Sequence, residues 1–344
     1  LHHHKTANHS KRKRHPRGTK NAAKRGPMRL GFAVKILGIE GHKSHDSRRW
    51  QNNPHLLKSI EYAHATFDYL EKTGISMYRF SSDFAPYLTH PEMPQFHRQL
   101  EEAHDELAAL GKRAKTLNLR LSFHPSQYIL LNTPNTKLRD SSIEEFEAQA
   151  QMLDIMGCGP EAVVVTHVGG VYGDRDGAIA RFIENYKLLP ERARARLVLE
   201  NDDVSFGIDD TLKIHEATGV RLIFDHQHHT CFNIGEKTHE EACCAALQTW
   251  KDARPKIHFS SPRTEKRTVK RLDKASGKKK EFEHDPLLTQ HADYVDDAVF
   301  IPFVRAVKRE CETEFDVMVE AKAKDLAVLK LKHDLAGIEG ILVE

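Results

Sequence analysis

From Met28 onward the chain repeats one unit eight times: a short apolar run, then a longer stretch with helical spacing. The apolar runs fall at 29–34, 76–80, 120–123, 162–166, 196–199, 220–224, 256–259 and 316–319. Helical patterns cover 54–72, 94–117, 142–156, 176–189, 209–218, 236–250 and 293–310, and a last one at 323–333 follows the eighth run. Short continuous apolar runs read as strands buried on both faces. Eight of them, each followed by a helix, predict an α/β fold, a single (β/α)8 TIM barrel. An open dinucleotide-binding sheet is disfavoured, because no GxGxxG turn follows the first strand. The segment 262–285 breaks the rhythm with nine Lys/Arg, and reads as an insertion loop after the seventh strand.

The 344 residues suffice for one barrel with insertions. Residues 1–27 carry nine Lys/Arg and no acid. They are expected to be a disordered basic arm, or sequence added ahead of a native start at Met28, leaving 28–344 as the barrel domain. Subtracting the arm's +9 from the formal +3 leaves −6 for the body. Such a body needs a local basic patch or bound cations to hold nucleic acid. No apolar run is long enough to span a bilayer, and no signal peptide is apparent. Five cysteines without a CxxC pair predict reduced thiols. The expectation is a cytoplasmic monomer with no membrane partner, nucleoid-associated, or nuclear in a eukaryote.

In this fold, catalytic groups sit at the C-terminal ends of the strands. There the chain places His124 after the third strand, His167 after the fourth, Glu200 after the fifth, and Asp225 with His228 after the sixth. His258 lies in the seventh strand, His291 after the insertion, and Glu320 at the end of the eighth. One such residue is commonly a hydrogen-bonded strand cap. Acids and imidazoles from six successive strands, converging on one mouth, are costly without cations to pair with. Carboxylates with imidazoles and no thiolate suit Mn, Zn or Fe. More ligands than one ion needs predict a cluster of two or three. Metal-dependent phosphodiester hydrolysis is the leading chemistry, with a metal-dependent sugar isomerase as the other enzyme class.

Eight motifs then point to one family. SFHPSQY (122–128), THVGGVYGD (166–174), LENDD (199–203), FDHQHH (224–229), KIHFSSPR (256–263), HADYV (291–295), VMVEAKAKD (317–325) and YRFSSDFAPYLTHP (78–91) resemble the UV damage endonucleases. The resemblance implies an enzyme that recognises cyclobutane pyrimidine dimers and 6-4 photoproducts in duplex DNA. It implies hydrolysis of the phosphodiester immediately 5′ to the lesion, with Mn²⁺ as cofactor and Mg²⁺, Zn²⁺ or Co²⁺ as substitutes. By motif, the implied metal ligands are His124, His167, Glu200, Asp225, His228, His258, His291 and Glu320. Gln127 and Tyr128 match a pair that wedges into the duplex. Lys256 matches a lysine near the metals that can be carboxylated, and with Glu200 and Glu320 it is implied to be catalytic.

The first strand departs from the family pattern, with Phe32 where Tyr is usual and Ile36 where Asn is expected. Lys35 is then a candidate phosphate contact. Arg79, Tyr172, Asn201 and Lys322 flank strand ends as supporting or phosphate-contacting residues, and Arg263 opens a basic insertion on the catalytic face. His226 and His229 are expected beside the ligands or in solvent, and Trp50 and Trp250 in the packing. The remaining alternatives are an apurinic-site endonuclease on the same barrel and a non-catalytic damaged-DNA binding protein.

Overall fold

All eight apolar runs form strands in the computed structural model, which describes residues 26–344 except 252, 274 and 275. The expected basic arm therefore lies, up to residue 25, outside the described residues. The strands are β1 (Leu30–Ala33), β2 (Met77–Arg79), β3 (Arg120–Phe123), β4 (Val163–His167), β5 (Leu197–Glu200), β6 (Arg221–Ile223), β7 (Lys256–Phe259) and, after an inserted pair, β10 (Asp316–Val319). They pair in parallel in the order β6-β5-β4-β3-β2-β1-β10-β7. The ring closes between β6 and β7 through the Asp225–His258 bridge, where His258 N donates to Phe224 O at 2.9 Å. Two expected metal ligands thus form the seam of the barrel.

Helices cover the outside: α1 (Leu56–Thr73), α2 (Gln99–Glu102), α3 (His104–Thr116), α4 (Thr136–Ile155), α5 (Arg175–Tyr186), α6 (Glu191–Arg196), α7 (Ile208–Thr218), α8 (His226–Cys231), α9 (His239–Gln248), α10 (Asp297–Cys311) and α11 (Lys324–Asp334). The continuous helix expected over 94–117 is instead a 3-10 turn at Pro94–Phe96 followed by α2 and α3, which break at Ala103. Gln99 dictates the break. Its buried side chain bonds Leu56 N, Pro86 O and Phe96 O, tying the short helix to two loops.

Side chains of a strand alternate between faces, and this sorts the barrel into an apolar outside and an inside where Val163, Val165, Val198 and Ile223 pack beside polar side chains. Leu30, Phe32, Tyr78, Leu121, Phe123, Leu199, Phe259 and Val319 belong to the buried core shared with the helices. The alternate residues face the axis. At the base, Arg120 Nη1 donates to Asp316 Oδ2 at 2.8 Å, both side chains being inaccessible to water. Arg254 Nε adds a second cation 2.9 Å from Asp316 Oδ1. The next layer holds Ser122, Lys256 and Met318, with Lys256 Nζ 3.0 Å from Ser122 Oγ. Gly31 keeps the wall thin, since a Cβ there would stand 2.5 Å from Met77 O.

Three expectations are corrected. The insertion is a two-stranded antiparallel ribbon, β8 (Arg267–Leu272) with β9 (Lys279–His284), rather than a loop. Cys244 and Cys311 form a disulfide that joins α9 to α10, so the thiols are not all reduced; spacing along the sequence held no signal for a pairing made by packed helices. Trp50 is 46% exposed and packs no core, whereas Trp250 is buried with its Nε1 on Leu222 O. Among the described residues, no helix is long and apolar enough to cross a membrane.

The Asp316→Asn substitution leaves Arg120 charged and buried without its full counter-charge. The expected loss is about 3–5 kcal/mol, read as a shift of the urea midpoint. The Arg120→Met/Asp316→Leu pair is expected to recover most of it, and a loss below about 1 kcal/mol for Asp316→Asn would refute the plug.

Candidate metal centre

The inward parity that sets the barrel layers also sets the mouth. His124 continues Arg120 and Ser122, Glu200 continues Val198, Asp225 continues Ile223, His258 continues Lys256, and Glu320 continues Met318. The strand ends therefore deliver five of the expected ligands to one layer without special turns. His167, the last residue of β4, joins them. His228 arrives on the first turn of α8, whose N-cap is Asp225: Asp225 Oδ1 accepts from His228 N at 2.7 Å.

Glu200 lies at the centre. Its Oε2 is 3.4 Å from His124 Nε2 and 3.7 Å from His167 Nε2. Its Oε1 is 2.8 Å from His258 Nδ1 and 3.6 Å from His228 Nδ1. Glu320 Oε1 is 3.3 Å from His258 Nδ1 and receives Arg79 Nη1. Three groups have ligand atoms within 4.8 Å of one another: His124–His167–Glu200, Glu200–Asp225–His228 and Asp225–His258–Glu320. Glu200 and Asp225 each belong to two of these, the arrangement that bridging carboxylates require.

The donor set fits divalent cations on a second count. Glu200 Oε2, Asp225 Oδ2, His167 Nδ1 and His258 Nε2 are buried and have no hydrogen-bond partner among the described residues. Buried polar atoms without partners cost several kcal/mol, and all four lie in the mouth. Other ring atoms are fixed from behind, as metal-binding imidazoles commonly are. His124 Nδ1 lies 3.0 Å from Pro125 O, and His228 Nδ1 lies 2.9 Å from Asn201 O. The Asn201 side chain also clasps the Asp225 backbone, its Oδ1 accepting from Asp225 N at 2.9 Å and its Nδ2 donating to Asp225 O at 3.1 Å.

Without cations the electrostatics conflict. Burial raises the Asp225 carboxyl above the usual carboxylate range, and Glu200 and Glu320 add to the shift against His228. Burial would raise Glu200 and Glu320 too. The imidazoles of His258 and His167 instead hold Glu200 well below that range, and Arg79 with His258 does the same for Glu320. Burial lowers His167 to about 4, whereas the surrounding acids overcome burial and raise His228 to about 10. Burial, with Arg120 and Arg79 near, pushes Lys256 far below the ordinary lysine range.

The remaining expected residues divide by position. Gln127 and Tyr128 stand on the loop after β3, with Tyr128 69% exposed. Two clefts, of about 530 and 230 Å³, flank that loop and share Ser126 and Ile129; the smaller also contains His124 and His167. Lys35 is exposed, Tyr172 is half-exposed under Arg181, and Arg263 is held by Asp293 at 3.0 Å. Arg79 is engaged by Glu320. His291 lies outside the three ligand groups, with Nδ1 on the Glu320 carbonyl and its backbone bridged to Pro262.

Phe32 and Ile36 are buried in the core, so the departure from the family pattern replaces polar side chains with packing. His226 and His229 lie neither beside the ligands nor in solvent. They pack with His239, Phe224 and Phe259, and His229 Nε2 bonds Lys237 O. Helical spacing on α8 turns them away from His228. Sequence reasoning missed Ser122 and the Arg120–Asp316 plug. Their signal was available in RLSFH, where polar residues recur at period two, and in DVMVE, where acids bracket an apolar run on the same parity.

A closed parallel barrel with carboxylates shared between groups of imidazoles at its mouth defines the class: a TIM-barrel protein with a cluster suited to divalent cations. The UV-endonuclease UvdE family model matches residues 55–343. A UV DNA damage endonuclease of Bacillus pumilus (strain SAFR-032) is 35% identical over 269 residues, 77% of each chain. The crystal structure of SacUVDE superposes with a TM-score of 0.74 at 29% identity, covering 90% of this chain and 98% of that one. A D-psicose 3-epimerase from Clostridium cellulolyticum H10 has a TM-score of 0.54 at 10% identity, covers 92% of this chain and 100% of that one, and shares the fold alone. The chain belongs to the UV-endonuclease UvdE family.

Glu200→Gln removes the carboxylate common to two ligand groups. Losing a partner behind a metal ligand costs roughly 10–100-fold in affinity, and losing the ligand itself is expected to exceed that. Calorimetric titration with Mn²⁺ reads the change. Affinity within twofold of the parent would remove Glu200 from the centre.

Proposed function

We propose that the protein is a DNA repair endonuclease, one that recognises cyclobutane pyrimidine dimers and 6-4 photoproducts in duplex DNA and hydrolyses the phosphodiester immediately 5′ to the lesion. The observation that carries this reading is the overlap of three ligand groups on Glu200 and Asp225 in a chain of the UvdE family. Two or three divalent cations are proposed to bind there, Mn²⁺ first, with Mg²⁺, Zn²⁺ or Co²⁺ as substitutes. When bound, such ions make a water nucleophilic at neutral pH and neutralise charge on a transferring phosphoryl group.

The chain's own residues supply the rest. His124, His167, Glu200, Asp225, His228, His258 and Glu320 are proposed as ligands. His291, bonded to the Glu320 carbonyl, completes the set from the rim. Glu200 and Glu320 are the proposed catalytic carboxylates. Arg79 orients Glu320. Lys256 lies one layer below, with Nζ 3.0 Å from Ser122 Oγ, and is the third proposed catalytic residue. Gln127 and Tyr128 enter the duplex where damage has weakened stacking, and fill the space that the displaced bases leave. Lys35, Tyr172 and Arg263 are the proposed contacts to the backbone beside the lesion. Lesion choice then follows from deformability, since damaged duplex is cheaper to kink than intact duplex.

The test is incision, with Mn²⁺, of an end-labelled irradiated duplex beside an undamaged and an abasic duplex. Cutting of the irradiated strand 5′ to the lesion is expected, abolished by chelation and by Glu200→Gln. Failure to cut with any of several divalent metals would overturn the proposal. Preference for the abasic strand would favour an apurinic-site enzyme. Base stacking on an aromatic is worth about 1–3 kcal/mol. Tyr128→Ala is accordingly expected to lower kcat/KM on irradiated duplex by roughly 5- to 150-fold and to leave Mn²⁺ affinity unchanged.

A further inference from the structure

The inserted ribbon has two chemically different faces. Register pairs Arg267 with His284, Val269 with Phe282 and Arg271 with Lys280 on one face. The other face pairs Thr268 with Glu283, Lys270 with Glu281 and Leu272 with Lys279. Cross-strand partners share a face, and successive residues switch faces. The first face therefore carries three cations, a histidine, a valine and a 40% exposed phenylalanine, with no acid. The second carries two lysines and two glutamates. Its acids are paired with lysines, Lys270 Nζ lying 3.1 Å from Glu281 and Lys266 Nζ 3.8 Å from Glu283, and only Lys279 lacks an acid among the described residues. On the first face only Lys280 has an acid, Asp273 at the turn; among the described residues, Arg267 and Arg271 have none.

The ribbon's two strands pack chiefly on each other and not on the barrel. Its root is nevertheless fixed at the mouth. Ser260 Oγ donates to Gln227 Oε1 at 2.7 Å, Arg263 N to Gln290 O at 2.7 Å, and Pro262 bridges His291. The root lies beside the ligand layer, and the face it carries is cationic and not fully neutralised by neighbouring acids. The body of the protein is otherwise net negative, so it needs a local cationic element to approach a polyanion.

We propose that the Arg267–Arg271–Lys280 face of the ribbon docks on the sugar-phosphate backbone of intact duplex flanking the incision site, with Phe282 and Val269 covering the sugars. This rests on the DNA-directed reading above and adds an element to it. A two-stranded ribbon is narrow enough to lie along a duplex groove, and phosphate contacts set register without reading sequence. The Thr268–Lys270 face stays in solvent.

The experiment compares two double variants with the same charge change, Arg267→Ser/Arg271→Ser and Lys270→Ser/Lys279→Ser, in the Mn²⁺-loaded protein. Binding to an undamaged duplex is measured by fluorescence anisotropy over a salt series, and incision of irradiated duplex is assayed in parallel. Each phosphate contact contributes a slope of about −0.9 in log K against log salt. The first variant is expected to flatten the slope by about 1.8 and weaken binding about tenfold. The second is expected to follow the parent. Equal slope changes in the two variants, or none in either, overturn the proposal. If the parent incises irradiated duplex while both variants bind like it, the ribbon proposal fails and the repair reading stands. If the parent does not incise but the first variant alone loses its salt slope, the repair reading fails and the ribbon proposal stands.

Discussion

Charges inside this barrel have little water to turn to, none at the base and only a margin at the mouth, and that constraint orders everything from base to mouth. The inward positions of eight parallel strands hold Arg120 and Asp316, then Ser122 and Lys256, then the imidazoles and carboxylates around Glu200. Each layer solves the same problem differently. At the base, opposite charges lie 2.8 Å apart. In the middle, a lysine is pressed toward its neutral form by burial and neighbouring arginines. At the mouth, four buried polar atoms are left without protein partners, a deficit that cations are suited to fill.

The seam between β6 and β7 ties this chemistry to the fold. Asp225 and His258 are backbone partners across the closure and side-chain members of one ligand group. Asn201 braces Asp225 and His228 from β5's end, so the ends of β5 and β6 and the first turn of α8 share one set of hydrogen bonds. Anything that binds the side chains also fastens the ring. A cation held there would therefore raise global stability, because a ligand that binds only the folded state stabilises it.

Much of this was legible from residues alone. Period and spacing located all eight barrel strands, because buried parallel strands leave continuous apolar runs. Strand-end position picked out the residues that the structure gathers at the mouth, because the fold puts its chemistry there. The motifs gave the family directly. The failures have physical causes. The break at Ala103 depends on Gln99 bonding to residues distant in sequence. His226 and His229 share a sequence run with His228, but helix geometry sends them into an aromatic cluster. The ribbon was hidden because charged strands lack the apolar alternation by which strands are recognised, although its Thr-Val and Phe residues are in register.

The disulfide has a topological effect. Cys244 and Cys311 are 67 residues apart and enclose β7, the whole ribbon and His291 in one covalent loop. An exposed ribbon is a natural point of proteolytic nicking. A break there would leave the fragments joined, with β7 on one and β10 on the other still held beside each other in the ring. An element that packs chiefly on itself can thus be severed while the oxidised molecule remains a single covalent piece.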